Sequence, residues 1–407
     1  MDIKEQAAII KRGVSGITPE GGLELKLEKS IKAGKPLKIK LGLDPTAPDI
    51  HLGSAVVLRK LRQFQDLGHK VVIIIGDFTG MIGDPSGKSE TRKQLTPEEV
   101  KINAATYEAQ YHKILDPDRT EVRFNSEWHG KLTFYDVIKL AAKTTVARIM
   151  ERDDFTTRFR EGRTIGLHEL VYPLCQAYDS VILESDVEMG GTDQMFNIMT
   201  GRDLQTQYGQ EPQIALFMPL LVGLDGSMKM SKSLGNYVGI TETPDVMFGK
   251  LMSITDAMMP SYFELCTDVP MQEVRSICMQ ATSGEINPKD VKRRLAREII
   301  TLYHDSKQAE HADAEFERIH AHREQPDDIT PIQLPPDAIK EGKVWICRLL
   351  VCSGLAKGTG DARRLIAQGG VRVAGEKVSD SKTEYDHSSL QDVVIQVGNR
   401  HFIRVKL

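Results

Sequence analysis

Lys229-Met230-Ser231-Lys232-Ser233 sets two primary amines around a serine, just after the turn-rich Gly223-Leu224-Asp225-Gly226. Two ammonium groups this close can neutralise the charge that builds on a departing diphosphate. Far upstream, His51-Leu52-Gly53-Ser54 sets an imidazole and a small residue at the start of a run with helical spacing. A helix start offers free N–H groups and the positive end of the dipole, which favours phosphate. Gly53 allows close approach to the backbone, and Thr46 and His51 line that approach. Alone, either segment fits a turn with solvated side chains. Together they can hold the triphosphate of ATP from both sides for in-line attack by a carboxylate on its α-phosphate. Such a reaction needs positioning and stabilisation of pyrophosphate rather than a protein nucleophile. Thr46, His51, Lys229 and Lys232 are suited to that work.

The elements that must carry these residues follow from periodicity. Residues 37–43 alternate as a strand does, and Asp44 to Asp49 is a turn-rich loop. Ala55, Val56, Leu58, Leu61, Phe64 and Leu67 then recur with helical spacing up to Gly68, and Val71 to Ile75 is a wholly apolar strand. Strand–helix–strand alternation predicts a parallel sheet covered on both faces, with ligands beyond the carboxyl ends of its strands, where Asp44 and His51 fall. Residues 97–170 read as mostly helical. A second unit follows, with a helix through Leu183, a strand near Val187 to Met189, the loop Gly190 to Asp193, a helix to about Thr200, and a strand from Phe217 to Val222. From Thr243 to about His322 the pattern is helical. Residues 325–342 hold Pro326, Pro331, Pro335 and Pro336 and read as a linker.

At 407 residues the chain has room for about two or three domains. The first residues lack the apolar core of a secretory signal, and Val71 to Ile75 is too short to span a bilayer, so a cytoplasmic protein without membrane contact is expected. The five cysteines form no CxxC pair; reduced core thiols and no metal site are expected. Net charge is −4, but residues 343–407 hold 11 Lys or Arg against 6 Asp or Glu. A basic module on an acidic body suits a polyanionic partner.

With HLGS and KMSKS, the chain resembles the class I aminoacyl-tRNA synthetases. Asp44-Pro45-Thr46-Ala47, Gly83 to Lys88, Tyr172 to Asp179 and Gly190-Gly191-Thr192-Asp193-Gln194 narrow the resemblance to bacterial-type tyrosyl-tRNA synthetases. The resemblance implies a Rossmann-like α/β catalytic domain over 1–240, doubly wound around a parallel sheet. A helical insertion at about 97–170 would form the interface of a homodimer, near Arg152-Asp153-Asp154-Phe155. A helical anticodon-side domain (241–324), the linker (325–342) and a small α+β S4-like RNA-binding domain (343–407) would follow. The implied substrates are L-tyrosine, ATP with Mg²⁺ and tRNA(Tyr).

By the same resemblance, Asp84, Tyr172 and Gln176 hold the substrate ammonium, Asp179 accepts from the phenol, and Gln194 sits near the reacting carboxylate. Tyr172, Gln176 and Asp179 are spaced to share one helical face. A buried carboxylate discriminates against phenylalanine, which would leave it unpaired, an argument for which this family is the standard example. Asp44, Gly53, Ser54, Gly191, Asp193, Met230, Ser231 and Lys232 would bind ATP, and Lys88 and Arg92 would join Thr46, His51, Lys229 and Lys232 around pyrophosphate. Arg363, Arg364, Arg372 and Lys377 would meet RNA phosphates, which position RNA without reading its sequence.

Three positions depart from the family pattern. Ser54 stands for a histidine or asparagine. Lys40 stands where relatives carry a tyrosine beside the phenol, so it either pairs with Asp179 or points away. Glu188 replaces a common glutamine. A P-loop fails because Ile82 occupies the position of its first glycine. Tryptophanyl-tRNA synthetase and a catalytically silent, synthetase-like RNA-binding protein remain the alternatives. Asp179 and the basic C-terminal module favour tyrosine over the first, and His51, Asp193, Lys229 and Lys232 speak against the second.

Overall fold

The computed structural model describes residues 1–44, 50–84, 96–321, 329, 331–398 and 401–407. The chain divides into two compact units, Met1–Asp305 and Ser306–Leu407.

The first unit is built on strands β1 (Gly16–Thr18), β2 (Lys38–Leu43), β3 (Lys70–Ile75), β4 (Thr120–Phe124), β5 (Val187–Gly191) and β6 (Ile214–Met218), in the order β1-β6-β5-β2-β3-β4. β1 runs antiparallel to β6, and the other neighbours are parallel. The helices of this unit are α1 (Ile3–Lys11), α2 (Gly22–Ala33), α3 (Leu52–Asp66), α4 (Thr79–Ile82), α5 (Pro97–Tyr111), α6 (Ser126–His129), α7 (Phe134–Ala141), α8 (Val146–Ile149), α9 (Asp153–Arg160), α10 (Tyr172–Leu183), α11 (Met195–Gln207), α12 (Pro244–Met252), α13 (Met259–Cys266), α14 (Met271–Ser283) and α15 (Pro288–Tyr303).

Parallel neighbours require crossovers, and α3 is the one between β2 and β3. It buries Leu52, Ala55, Val56, Leu58, Leu61 and Phe64, the stripe its 3.6-residue period predicts. β3 is buried from Val71 to Ile75, as a strand covered on both faces must be. The chain leaves β2 for β3 and β4, then returns to β5 and β6 on the other side. The carboxyl ends of β2 and β5 therefore flank the switch point, where ligands of such sheets bind.

Four local expectations differ from what is observed. The 97–170 segment contains β4, a short edge strand of the main sheet, so the helices α6 to α9 follow that strand. α11 runs on to Gln207 because Gly201 marks a close approach rather than a stop: a Cβ there would lie 2.8 Å from the Gln213 amide. The last strand is Ile214–Met218, and Pro219, with no N–H to donate, ends its ladder. Within the expected linker, β7 (Pro331–Gln333) pairs in parallel with a later strand, with Ile332 opposite Val405. Proline is tolerated there because β7 lies at the sheet edge.

The second unit also contains α16 (Ser306–Ala321), β8 (Ile339–Lys340), β9 (Lys343–Trp345), α17 (Ile346–Cys352), α18 (Thr359–Ala367), β10 (Val371–Val373), β11 (Glu376–Lys377), β12 (Glu384–Asp386), β13 (Val394–Val397) and β14 (His401–Lys406). Its two sheets have the orders β11-β10-β13-β14-β7 and β12-β9-β8. Ile346, Leu349, Leu350, Ile366, Val371 and Ile395 form the centre of its own core. Among the described residues, no helix is long and apolar enough to cross a membrane.

Candidate active site

A cleft of about 360 Å³ opens at the carboxyl ends of β2 and β5. Its walls bring together Asp44, His51, Asp84, Asp193 and, from one helix, Gln176 and Asp179, drawn from five separate stretches of the sequence.

At the closed end lies Asp179 on α10, only 3% exposed. Its Oδ1 accepts from Trp128 Nε1 at 2.8 Å and faces His129 Nε2 at 2.9 Å, while Oδ2 faces Asn125 Nδ2 at 3.4 Å. A carboxylate only accepts, so the imidazole proton sits on Nε2, and His129 Nδ1 has no partner. The His129 ring stacks on Phe78 with centroids 5.0 Å apart. Oδ1 is thus saturated and Oδ2 keeps accepting capacity toward the cleft. Nothing in the spacing of the sequence links Asn125, Trp128 and His129 to Asp179. The signal was the density of donors in Asn125-Ser126-Glu127-Trp128-His129, carried on the four-residue helix α6.

Beside it, Tyr172 donates its hydroxyl to Asp44 Oδ2 at 2.7 Å, and Thr79 Oγ1 donates to Asp44 Oδ1 at 2.8 Å. Asp44, assigned to ATP by the resemblance, is therefore bonded to the amino-acid end of the cleft. Gly76 is required here, since a Cβ would fall 2.0 Å from Asp44 Oδ1. Gln194 Nε2 donates to Asp84 Oδ2 at 2.9 Å. Asn197, absent from the sequence argument, donates to the side-chain oxygens of Gln176 at 3.0 Å and Gln194 at 3.2 Å. It accepts from Arg152 at 2.9 Å.

At the open end, His51 is the N-cap of α3, and its Nδ1 accepts from the Ser54 N–H at 3.2 Å. Burial lowers its pKa to about 4, with help from the charges of Lys232 and Lys229. A neutral ring that accepts at Nδ1 carries its proton on Nε2 and can donate it to a phosphate oxygen. The close approach at Gly53 is taken up by Met230: the Gly53 N–H points at Met230 Sδ at 3.3 Å, and a Cβ at 53 would meet Met230 Cβ at 3.3 Å. Lys229 reaches across to Asp193 Oδ2 at 2.9 Å.

Asn236 organises the lysine-bearing loop. It accepts from the Ser231 N–H at 2.8 Å and donates to the Lys229 carbonyl at 3.2 Å and to Asp225. Asp225 is held well below the usual carboxylate range by the Met228 N–H and then by Asn236. Gly223 is needed beside it, because a Cβ would lie 2.2 Å from the Asn236 amide nitrogen.

Gly191 and Ser54 line the cleft and Ser231 joins them. Thr46, Lys88 and Arg92 lie outside the described residues. Lys40 does not pair with Asp179; its ammonium meets Glu188 Oε1 at 3.0 Å. In the second unit Arg363, Arg364, Arg372 and Lys377 are all exposed. Arg363 lies over the Trp345 ring at 5.5 Å, Arg364 pairs with Asp361 at 2.5 Å, and Arg372 donates to the Gly375 carbonyl.

The model of the family described as "tRNA synthetases class I (W and Y)" matches residues 32–321. The tyrosine--tRNA ligase of Moorella thermoacetica is 56% identical over 404 residues, covering 99% of this chain and 96% of that protein. That of Geobacter sulfurreducens is 52% identical over 405 residues, covering 100% and 99%. The crystal structure of tyrosyl-tRNA synthetase from Archaeoglobus fulgidus, complexed with L-tyrosine, has a TM-score of 0.63 at 23% identity and covers 76% of this chain and 99% of that one. That from Aeropyrum pernix has a TM-score of 0.61 at 20% identity, covering 78% and 98%. The two distant structures share the fold, while the two relatives are more than half identical over essentially the whole chain. This chain belongs to the class I aminoacyl-tRNA synthetases and, among them, to the bacterial-type tyrosine–tRNA ligases.

Proposed function

We propose that this enzyme activates L-tyrosine with ATP, taken as its magnesium complex, and transfers the tyrosyl group to the 3'-terminal adenosine of tRNA(Tyr). A tyrosine carboxylate oxygen attacks the α-phosphorus in line, the bond to the β-phosphate oxygen breaks, and pyrophosphate leaves. A hydroxyl of the terminal adenosine then attacks the tyrosyl carbonyl carbon and AMP departs. The observation that carries this reading is the buried Asp179, with Oδ1 saturated by Trp128 and His129 and Oδ2 turned to the cleft. A phenol proton completes that carboxylate, whereas a phenylalanine ring would leave it short of a donor.

In this assignment Asp84, Tyr172 and Gln176 take the ammonium and Gln194 lies by the carboxylate. Gly191 and Asp193 hold the ribose; Gly53, Ser54, Met230 and Ser231 line the nucleotide. His51, Lys229 and Lys232, with Thr46, Lys88 and Arg92, stabilise the departing pyrophosphate. Asp193 must exchange Lys229 for the ribose as the loop engages the phosphates.

The functional parts divide as 1–240 for catalysis, 241–324 for the anticodon side, 325–342 as connection and 343–407 for RNA, where Arg363, Arg364, Arg372 and Lys377 meet phosphates. The enzyme works as a cytoplasmic homodimer. Support for the dimer comes from α7, where Phe134 and Ile138, one turn apart, are 81% and 52% exposed. Phe159 and Leu167 are exposed in the same segment. Arg152 and Phe155 are buried within the protomer, so the interface centres on α7 rather than on them. ATP–pyrophosphate exchange with each of the twenty amino acids tests the activation step. Exchange with tyrosine alone supports it, exchange with tryptophan overturns the pocket assignment, and none at all points to an RNA-binding protein without activation.

A further inference from the structure

Two of the positions that depart from the family pattern are partners. Lys40 on β2 and Glu188 on β5 are opposite each other in register on adjacent parallel strands, so their side chains share a sheet face. Both are essentially inaccessible, at 0% and 1%. Lys40 Nζ has three acceptors, one for each proton: Glu188 Oε1 at 3.0 Å, Ser180 Oγ at 2.7 Å and the Gln176 carbonyl at 2.9 Å. Glu188 Oε1 also accepts from Gln176 Nε2 at 3.2 Å, and Oε2 accepts from Ser180 Oγ at 2.9 Å and from Gln213. A buried ion pair seldom adds net stability over apolar packing, so its presence asks for another reason. The pair touches one residue of the cleft twice: Lys40 holds the backbone of Gln176 and Glu188 holds its side chain.

We infer that the Lys40–Glu188 pair is a positioning device for the amino-acid pocket, setting the orientation of the Gln176 amide so that its oxygen serves the substrate ammonium. An amide has a donor end and an acceptor end of nearly the same shape. A carboxylate held against an ammonium can only accept, so the Gln176 NH₂ must face Glu188. The oxygen then points to the other side, where Asn197 donates to it at 3.0 Å and a second lone pair is left over. The opposite orientation would set the amide oxygen against the Glu188 carboxylate and the NH₂ against the substrate ammonium. Ser180 and Gln213 fix Glu188 in turn. This rests on the assignment of Gln176 to the ammonium in the proposed function.

The test compares L-tyrosine with 3-(4-hydroxyphenyl)propionate, which lacks only the ammonium. Pyrophosphate exchange gives KM for tyrosine and the inhibition constant for the analogue. In Lys40→Met/Glu188→Met the charges leave together and apolar side chains fill the space. KM for tyrosine should rise roughly ten- to a hundredfold, the worth of one hydrogen bond to a charged group. KM for ATP and the analogue's inhibition constant should not move. Lys40→Met/Glu188→Gln returns an acceptor oxygen to position 188 and should recover most of the loss. If the Met pair does not fold, Glu188→Asp keeps the charge but withdraws it from Gln176 and should show the same split. Tyrosine and the analogue weakening equally, or neither weakening, in a folded variant overturns the inference. Wild-type protein that binds both ligands alike overturns the assignment of Gln176 itself, and the inference with it.

Discussion

Replacing Asn236 with alanine should uncouple the lysine-bearing loop from the rest of the site. Its side chain makes three bonds: from the Ser231 N–H, to the Lys229 carbonyl and to Asp225. A single hydrogen bond contributes about 0.5–1.5 kcal/mol net. The three loop groups become accessible to water when the loop lifts, so no buried orphan is left behind. The seated loop should lose roughly 1.5–4.5 kcal/mol, equivalent to about 10- to 2,000-fold in its engagement. Asn236 touches none of Asn125, Trp128, His129 or Asp179, so tyrosine binding should not change. Pyrophosphate exchange at saturating tyrosine, with ATP varied, should show that fall in kcat/KM for ATP, while calorimetry returns the wild-type tyrosine Kd. Gly223→Ala should act the same way, because its Cβ would lie 2.2 Å from the Asn236 amide. An unchanged kcat/KM for ATP, or an equal loss of tyrosine affinity, would refute the reasoning.

Other outcomes follow from the same geometry. His129→Phe keeps the stack on Phe78 but removes one donor from Asp179 and the unpartnered Nδ1. The melting temperature should move little, while the preference for tyrosine over phenylalanine in exchange falls about tenfold; an unchanged preference would separate His129 from specificity. For His51 the folded pKa of about 4 lies below the unfolded value near 6.5. The unfolded chain takes up a proton that the folded one refuses, so stability is full above pH 6.5 and declines toward pH 4, by at most about 3 kcal/mol. An imidazole NMR titration of His51 with a midpoint near 6.5 would contradict this. Phe134→Glu on the exposed face of α7 should convert the proposed dimer to monomer in sedimentation at micromolar protein, and a dimer that persists would move the interface elsewhere.

Much of the site was legible because short-range chemistry leaves local marks. Gly53 and His51 at a helix start, the paired lysines 229 and 232, and the stripe Tyr172, Gln176 and Asp179 are all spacings within one element. β2, α3 and β3 were equally readable, since each repeats its apolar period over several turns or pleats. The boundaries that shifted did so where one residue served a tertiary purpose: Gly201 admits Gln213, and Pro331 sits on an edge strand.

The sequence by itself determined the reaction chemistry, the α/β fold and which residues were available to the site, because residue type and local spacing carry that information. Only the tertiary structure decided how the polar groups are paired. Lys40 meets Glu188 because β2 and β5 are neighbours in register across the switch point. Trp128 and His129 meet Asp179 because α6 is brought against α10. Met230 seats the loop for a similar reason, through its contact with Gly53, 177 positions away in the chain. A buried donor must find an acceptor, but which one it finds depends on strand order and crossing helices, and no periodicity in a single segment records that.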